Sequence, residues 1–163
     1  PYAAMWRYLG SATPSYGNMV STFHTFYEAY PTPSGALSAI DCRQMDALAS
    51  IMRNINSRYA LPQAMVDSLQ VLDGFATPLF FDLGDYVDHL CANATLLSDF
   101  HAQLKRAVPY AASTQTLYSY LYDHPVYIPV NTFSGITISD PSTSSVAEKG
   151  KKNTEWWKAT HEE

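Results

Sequence analysis

Hydrophobic residues recur with helical spacing along most of the chain and alternate only near its end. Met19, Phe23, Phe26 and Tyr30 fall on one stripe of a helix that begins near Ser15. Pro31 and Pro33 stop it, because proline brings no N–H and its ring clashes with the preceding turn. Met45, Leu48, Met52, Ile55 and Tyr59 form the strongest stripe in the sequence. Asp41 stands before it and Gln44 three positions later, the spacing of a capping box. Residues 36–40 read as a short, largely buried strand leading into this helix. Residues 2–9 read as a short helix closed by Gly10, and residues 63 to about 72 as a helical segment after Pro62, ended by a turn at Asp73-Gly74.

Asp82 has the position of the next N-cap, with Asp85 at the third helical position and Leu83, Tyr86, Val87, Leu90 and Cys91 as a tight apolar face. Thr95 is expected to cap a further helix that carries Leu97, Phe100 and Leu104 on one side. Lys105 and Arg106 near its C-terminus suit the helix dipole. Val126, Ile128 and Val130 then alternate, as do Ile136 and Ile138, which signals strands. Pro129 restricts the first of these to a sheet edge. Residues 139–145 form a Ser/Thr/Pro/Asp loop, Lys149, Lys151 and Lys152 a solvated loop around Gly150, and residues 154–160 a terminal helix. No internal repeat and no long linker divides the chain.

Composition narrows the function classes. Only 15% of the 163 residues are charged, against about 25% in an average soluble domain. At 47% hydrophobic and 13% aromatic the chain is not grossly disordered. Its net charge of −5 leaves no basic footprint for nucleic acid. No apolar run approaches the length of about 18 residues that a membrane span needs. A low charge fraction suits a chain that keeps apolar surface for a partner. With Pro1 first and no signal-like segment after it, the expectation is a mature, cut or trimmed product.

Candidate chemistry is sparse. Asp82, Asp85, Asp88 and His89 crowd together, but the run lacks the alternating oxygen ligands of a calcium loop and the paired histidines of a helical zinc site. Capping and a solvated helix face account for it better. Cys42 and Cys91 show no metal spacing and read as buried structural thiols. Cys42, beside a helix N-cap where the dipole would lower its pKa, is the better nucleophile of the two. His24, His89, His101, His124 and His161 are the imidazoles that could serve a thiolate. Nucleophile-elbow, dinucleotide and phosphate-loop motifs are absent. Asn93-Ala94-Thr95 is a glycosylation sequon. Trp6, Trp156 and Trp157 could stack on sugars, but aromatics on helices more often fill cores and interfaces.

Four landmarks, in order, resemble the C-terminal part of the clostripain-like cysteine peptidases. They are Pro1-Tyr2, then Leu37-Ser38-Ala39-Ile40-Asp41 with Met45-Asp46-Ala47-Leu48, then Ser134-Gly135-Ile136-Thr137-Ile138 with Pro141, and finally Glu155-Trp156-Trp157-Lys158-Ala159-Thr160. Asp82-Leu83-Gly84-Asp85 is similar to a helix start that the family often has. Ser139-Asp140 departs from the pattern, which usually has aromatic or apolar residues before the proline. The His-Gly and Asp-x-Cys motifs on which the family's chemistry depends do not occur, and Cys42 directly follows Asp41 in another landmark.

The resemblance implies an α/β fold: part of a caspase-like αβα sandwich over residues 1–75, and a small C-terminal helical and β-hairpin region over 76–163. It implies the non-catalytic C-terminal portion of a cysteine endopeptidase that cleaves after Arg or Lys. In the parent, a thiolate would attack the scissile carbonyl with histidine as acid and base. No catalytic residue, substrate-binding residue or metal ligand is assigned to this chain. Calcium is allowed as a cofactor by the resemblance alone. The implied partners are the N-terminal half of its own polypeptide and a protein or peptide substrate, without nucleic acid or a membrane span. The implied location is secreted, periplasmic or at the cell surface. The competing readings are a freestanding binding module with the same fold remnant, and an independent hydrolase using Cys42 or Cys91.

Overall fold

A computed structural model of the protein describes residues 15–29, 33–121 and 124–161. The expected helix at 2–9, Trp6, Tyr30 and the Pro1-Tyr2 landmark lie outside them. Helix α1 (Tyr16–Glu28) starts where Ser15 accepts the Asn18 N–H at 3.1 Å. Strand β1 (Ala36–Ala39) follows, then a 3-10 turn (Cys42–Gln44) and helix α2 (Met45–Asn56). After a second 3-10 turn (Gln63–Ser68) come β2 (Phe81–Asp82), α3 (Leu83–Leu90) and α4 (Ala94–Ala107). The remainder holds β3 (Tyr110–Ser113), β4 (Thr116–Leu121), β5 (His124–Pro129), β6 (Thr137–Ile138), α5 (Ser145–Gly150), a 3-10 turn (Lys151–Asn153) and α6 (Glu155–His161).

The strands pair antiparallel in three small sheets, β1 with β3, β2 with β6 and β4 with β5. Helix α2 is the hub. The predicted stripe buries Leu48, Met52 and Ile55 completely, with α4 on one side and α6 on the other. Phe81, Leu83, Val87 and Phe100 complete the same core. Helix α1 lies on β1 and β3, while the β4–β5 hairpin makes its contacts largely within itself. Gly135 joins the sheets: at φ 90° it takes a left-handed conformation that side chains rarely adopt. A Cβ there would come within 2.5 Å of Val108 Cγ1 and close to Ser38 and Ala111, so only glycine fits.

Several local expectations change. Asp41 caps only the 3-10 turn, accepting from Arg43 N, and Gln44 is engaged by the Gln103 amide, so no capping box forms. Asn93, not Thr95, caps α4 by accepting the Leu96 N–H at 2.9 Å. An Asn side chain reaches that N–H with the better cap geometry and starts the helix one residue earlier than Thr95 would allow. The segment after Pro62 stays helical only to Ser68 and as a 3-10 turn. β1 is less buried than expected, with Ile40 beyond its end 44% exposed.

Replacing Leu48 by Ala should cost about 2–5 kcal/mol, the transfer-plus-cavity range for a core leucine. A urea melt checks it, with a lower midpoint at unchanged slope. A variant as stable as wild type would mean that the α2 stripe does not form the core.

Candidate functional site

The chemical candidates separate once their partners are known. Cys42 is exposed, against expectation, because it sits in the 3-10 turn and not on the buried face of α2. Cys91 is buried, its Sγ 3.6 Å from Asn93 O. The histidines look elsewhere. His24 Nε2 lies 3.0 Å from Ser113 O, His89 Nδ1 2.9 Å from Asp85 O, and His101 Nε2 2.7 Å from the Asp88 carboxylate. His161 stacks on Trp157 with ring centroids 3.7 Å apart, and His124 is exposed on β5. Trp156 and Trp157 are half-buried against this helical end, which fits packing better than sugar stacking.

The acidic run is divided among structural tasks. Asp82 has no exposed surface. It accepts the Asp85 N–H at 3.0 Å as N-cap of α3 and the Ser134 N–H at 2.6 Å. Burial pushes its pKa up, while these N–H donors act the other way. Asp85 accepts the Gln70 N–H, and Asp88 takes His101. Among the described residues no three His, Cys, Asp or Glu side chains gather so as to hold a metal ion, so they offer calcium no site. Asn93, the sequon asparagine, spends its side-chain oxygen on the cap.

What the fold does build is a binding concavity. A cleft of about 530 Å³ opens between β6 and the C-terminal helices, walled by Met45, Leu79, Phe80, Ile138, Val146 and Trp156. Phe80 is 43% and Val146 67% exposed, so its rim is apolar too. It holds no nucleophile and suits burial of an apolar segment. At its inner end two polar atoms sealed from solvent, Asp140 Oδ2 and Trp156 Nε1, have no hydrogen-bond partner. Burial pushes the Asp140 carboxyl above the usual carboxylate range, against the pull of His161 and Lys151. Tyr86, facing the same carboxyl, is pushed up to about 12, chiefly by its own burial.

Lys151 corrects the expectation of a solvated lysine loop. Only 8% exposed, it donates to Asp140 O at 2.9 Å and Ser142 O at 3.1 Å and pairs with Glu148. Its ammonium also lies 5.4 Å from the Trp157 ring centroid. The sequence carried little sign of this: three lysines beside a glycine look alike, and only the chain fold decides which one turns inward. The ammonium needs acceptors once buried, and the two carbonyls of the loop before α5 supply them.

Asp140 yields a pH test. Its folded pKa is raised, so the folded protein holds this proton more tightly than the unfolded chain. The contribution to stability is then full at acid pH and is lost as pH rises from the ordinary value near 3.8 through the folded value. Asp140→Asn should match wild type near pH 3 and exceed it by roughly 1 kcal/mol at neutral pH, as a buried charge without a hydrogen bond is removed. Melting curves across pH check it. A variant weaker than wild type at neutral pH would mean that the ionised carboxylate is compensated.

No family model and no curated protein sequence matches the chain. Solved structures do. A clostripain from Bacteroides thetaiotaomicron, in complex with the peptide inhibitor BTN-VLTK-AOMK, is 45% identical over 100% of this chain and 71% of its own, with a TM-score of 0.89. Iotapain, a secreted C11 cysteine protease from the same organism, is also 45% identical and has the same TM-score of 0.89. This chain spans only 45% of iotapain's length. An inactive zymogen C11 protease from Parabacteroides distasonis shares the fold alone, at 24% identity and a TM-score of 0.71. The α/β architecture is therefore that of the caspase-like C11 proteases, and the chain belongs to the clostripain-like cysteine protease family.

Proposed function

We propose that the chain is the non-catalytic C-terminal portion of a clostripain-like cysteine endopeptidase that cleaves after Lys or Arg. Its role is to support an active site carried by the rest of the polypeptide. The observation that carries this is the mismatch between family and chemistry. The fold is that of a cysteine protease, while none of the imidazoles of His24, His89, His101 and His161 is hydrogen-bonded to Cys42 or Cys91. The chain also covers less than half of iotapain. Specificity for a basic residue is supported by the inhibitor held by the Bacteroides clostripain, whose peptide VLTK ends in lysine. Export is supported by iotapain's description as secreted.

The partner in this reading is the N-terminal half of the same polypeptide, with peptide substrates reaching the assembled protein. Residues 1–75 would belong to the shared sandwich and 76–163 to a C-terminal subdomain. The apolar cleft and the exposed Phe80, Val146 and Ile40 support the need for a covering surface.

The isolated chain should show no turnover of Lys- or Arg-based fluorogenic peptides, and turnover should appear only with the complete polypeptide. Parallel assays of Cys42→Ala and Cys91→Ala complete the test. Turnover by the isolated chain that either substitution abolishes would overturn the proposal in favour of an independent hydrolase.

A further inference from the structure

Two strand edges in this chain are built in opposite ways. The outward edge of β5 is blocked. Tyr118 N donates to Ser34 Oγ, away from β5, and Val130 N donates to Gln115 O. This alternation turns positions 125, 127 and 129 of β5 outward, and prolines occupy two of the three. Proline has no N–H to offer an approaching strand, a usual protection of a free edge. Pro129 O is moreover taken by the Gln70 amide at 2.9 Å.

The outward edge of β1 has no such protection. Thr114 N donates to Gly35 O and Asp41 N to Ala107 O, so the odd positions face β3. Ala36, Ser38 and Ile40 therefore turn their N–H and C=O groups away from the sheet. No proline, lysine or bulge interrupts them. Both faces of β1 are nonetheless covered, as in an interior strand. Helix α1 lies over Leu37 and Ala39, with Gly17 against the Tyr110 ring. On the other face Ser38 Oγ donates to Gly135 O at 2.7 Å. At the open edge a hollow of about 140 Å³, bounded by Met19, Val20, Phe23, Leu37 and Ser38, runs under α1.

We infer that β1 is completed by a strand added along Ala36–Ser38–Ile40 and supplied by the part of the polypeptide outside this chain. An apolar side chain of that strand fills the hollow under α1. The inference rests on the proposed function for the existence of the partner and adds where and how it binds. The length supports this occupant, since more than half of a chain such as iotapain lies outside these residues. Main-chain hydrogen bonds would give the affinity and the α1 hollow the selectivity for side chain.

Hydrogen exchange on the complete polypeptide and on this chain alone tests it, with co-elution of the separately made N-terminal portion as the binding readout. In the complete protein the outward amides of Ala36, Ser38 and Ile40 should slow by about 100-fold or more relative to the chain alone, to the level of Leu37 and Ala39. Ala36→Pro, which removes an outward donor only, should weaken co-elution while leaving the melt of this chain alone unchanged. Co-elution with outward amides still exchanging freely would overturn strand addition and leave the partnership standing. Absence of co-elution together with free exchange in the complete protein would overturn both.

Discussion

The fold turns on one carboxylate. Asp82 is withdrawn from solvent, yet it is the point at which three segments of the chain meet. Its oxygens take N–H groups from α3 and from Ser134, and its own N–H goes to Gln70 O at 3.0 Å. Gln70 extends the junction: its amide donates to Pro129 O and its carbonyl oxygen accepts from Asn131 N. A buried ion is tolerable only with such a set of donors, and removing one would leave a charge without compensation. The residue after Ser134 is Gly135, wedged beneath β1 and β3. The same carboxylate thus sets the depth at which the Gly135 loop enters, and with it the spacing between the β1–β3 sheet and the α2 core.

That constraint also explains what the sequence made legible. Helix α2 was plain because a stripe that buries Leu48, Met52 and Ile55 must repeat at helical spacing. The Asp82–Asp85 start of α3 was plain because a cap is a local device, formed within one turn. Strand β4 was hidden. Its alternating Leu117 and Ser119 face is flanked by Thr116 and Tyr118, so neither face reads as clearly polar. The inward turn of Lys151 and the role of Gln70 were hidden for another reason: both depend on carbonyls distant in sequence. Open β1 and blocked β5 edges differ by two prolines, of which the sequence reading used one.

Charge is spent locally in this molecule. Lys158 pairs with Glu155, Arg43 with Asp41 and Lys151 with Glu148, all within one turn of chain. Exposed pairs of this kind contribute little to stability. Binding between the segments therefore falls to apolar contact and to main-chain and amide hydrogen bonds. Arg53 and Asn56 of α2 illustrate it, donating to Ala159 O and Thr160 O at the end of α6. They satisfy carbonyls that a helix terminus otherwise leaves unpaired. The C-terminal helix is thus fixed to the hub by its own end groups, and its Trp156 is held at the mouth of the cleft.

Carboxylates that serve structure in this chain are saturated with donors, and Asp140 is the exception. Asp82 and Asp73 each accept two or more backbone N–H groups, whereas Asp140 keeps a sealed oxygen with no partner. The Trp156 indole N–H is unpartnered as well, although it faces the same carboxyl. A fold selected only for the stability of these residues would place an apolar side chain there, as the family pattern does before Pro141. Burial of an unsatisfied polar pair is a local cost that native proteins retain where another requirement overrides packing. In this chain the cost falls at the inner end of its largest apolar cleft, beside a lysine that holds the backbone of the same loop. The requirement therefore belongs to whatever occupies that cleft, and not to the folding of residues 1–163 by themselves.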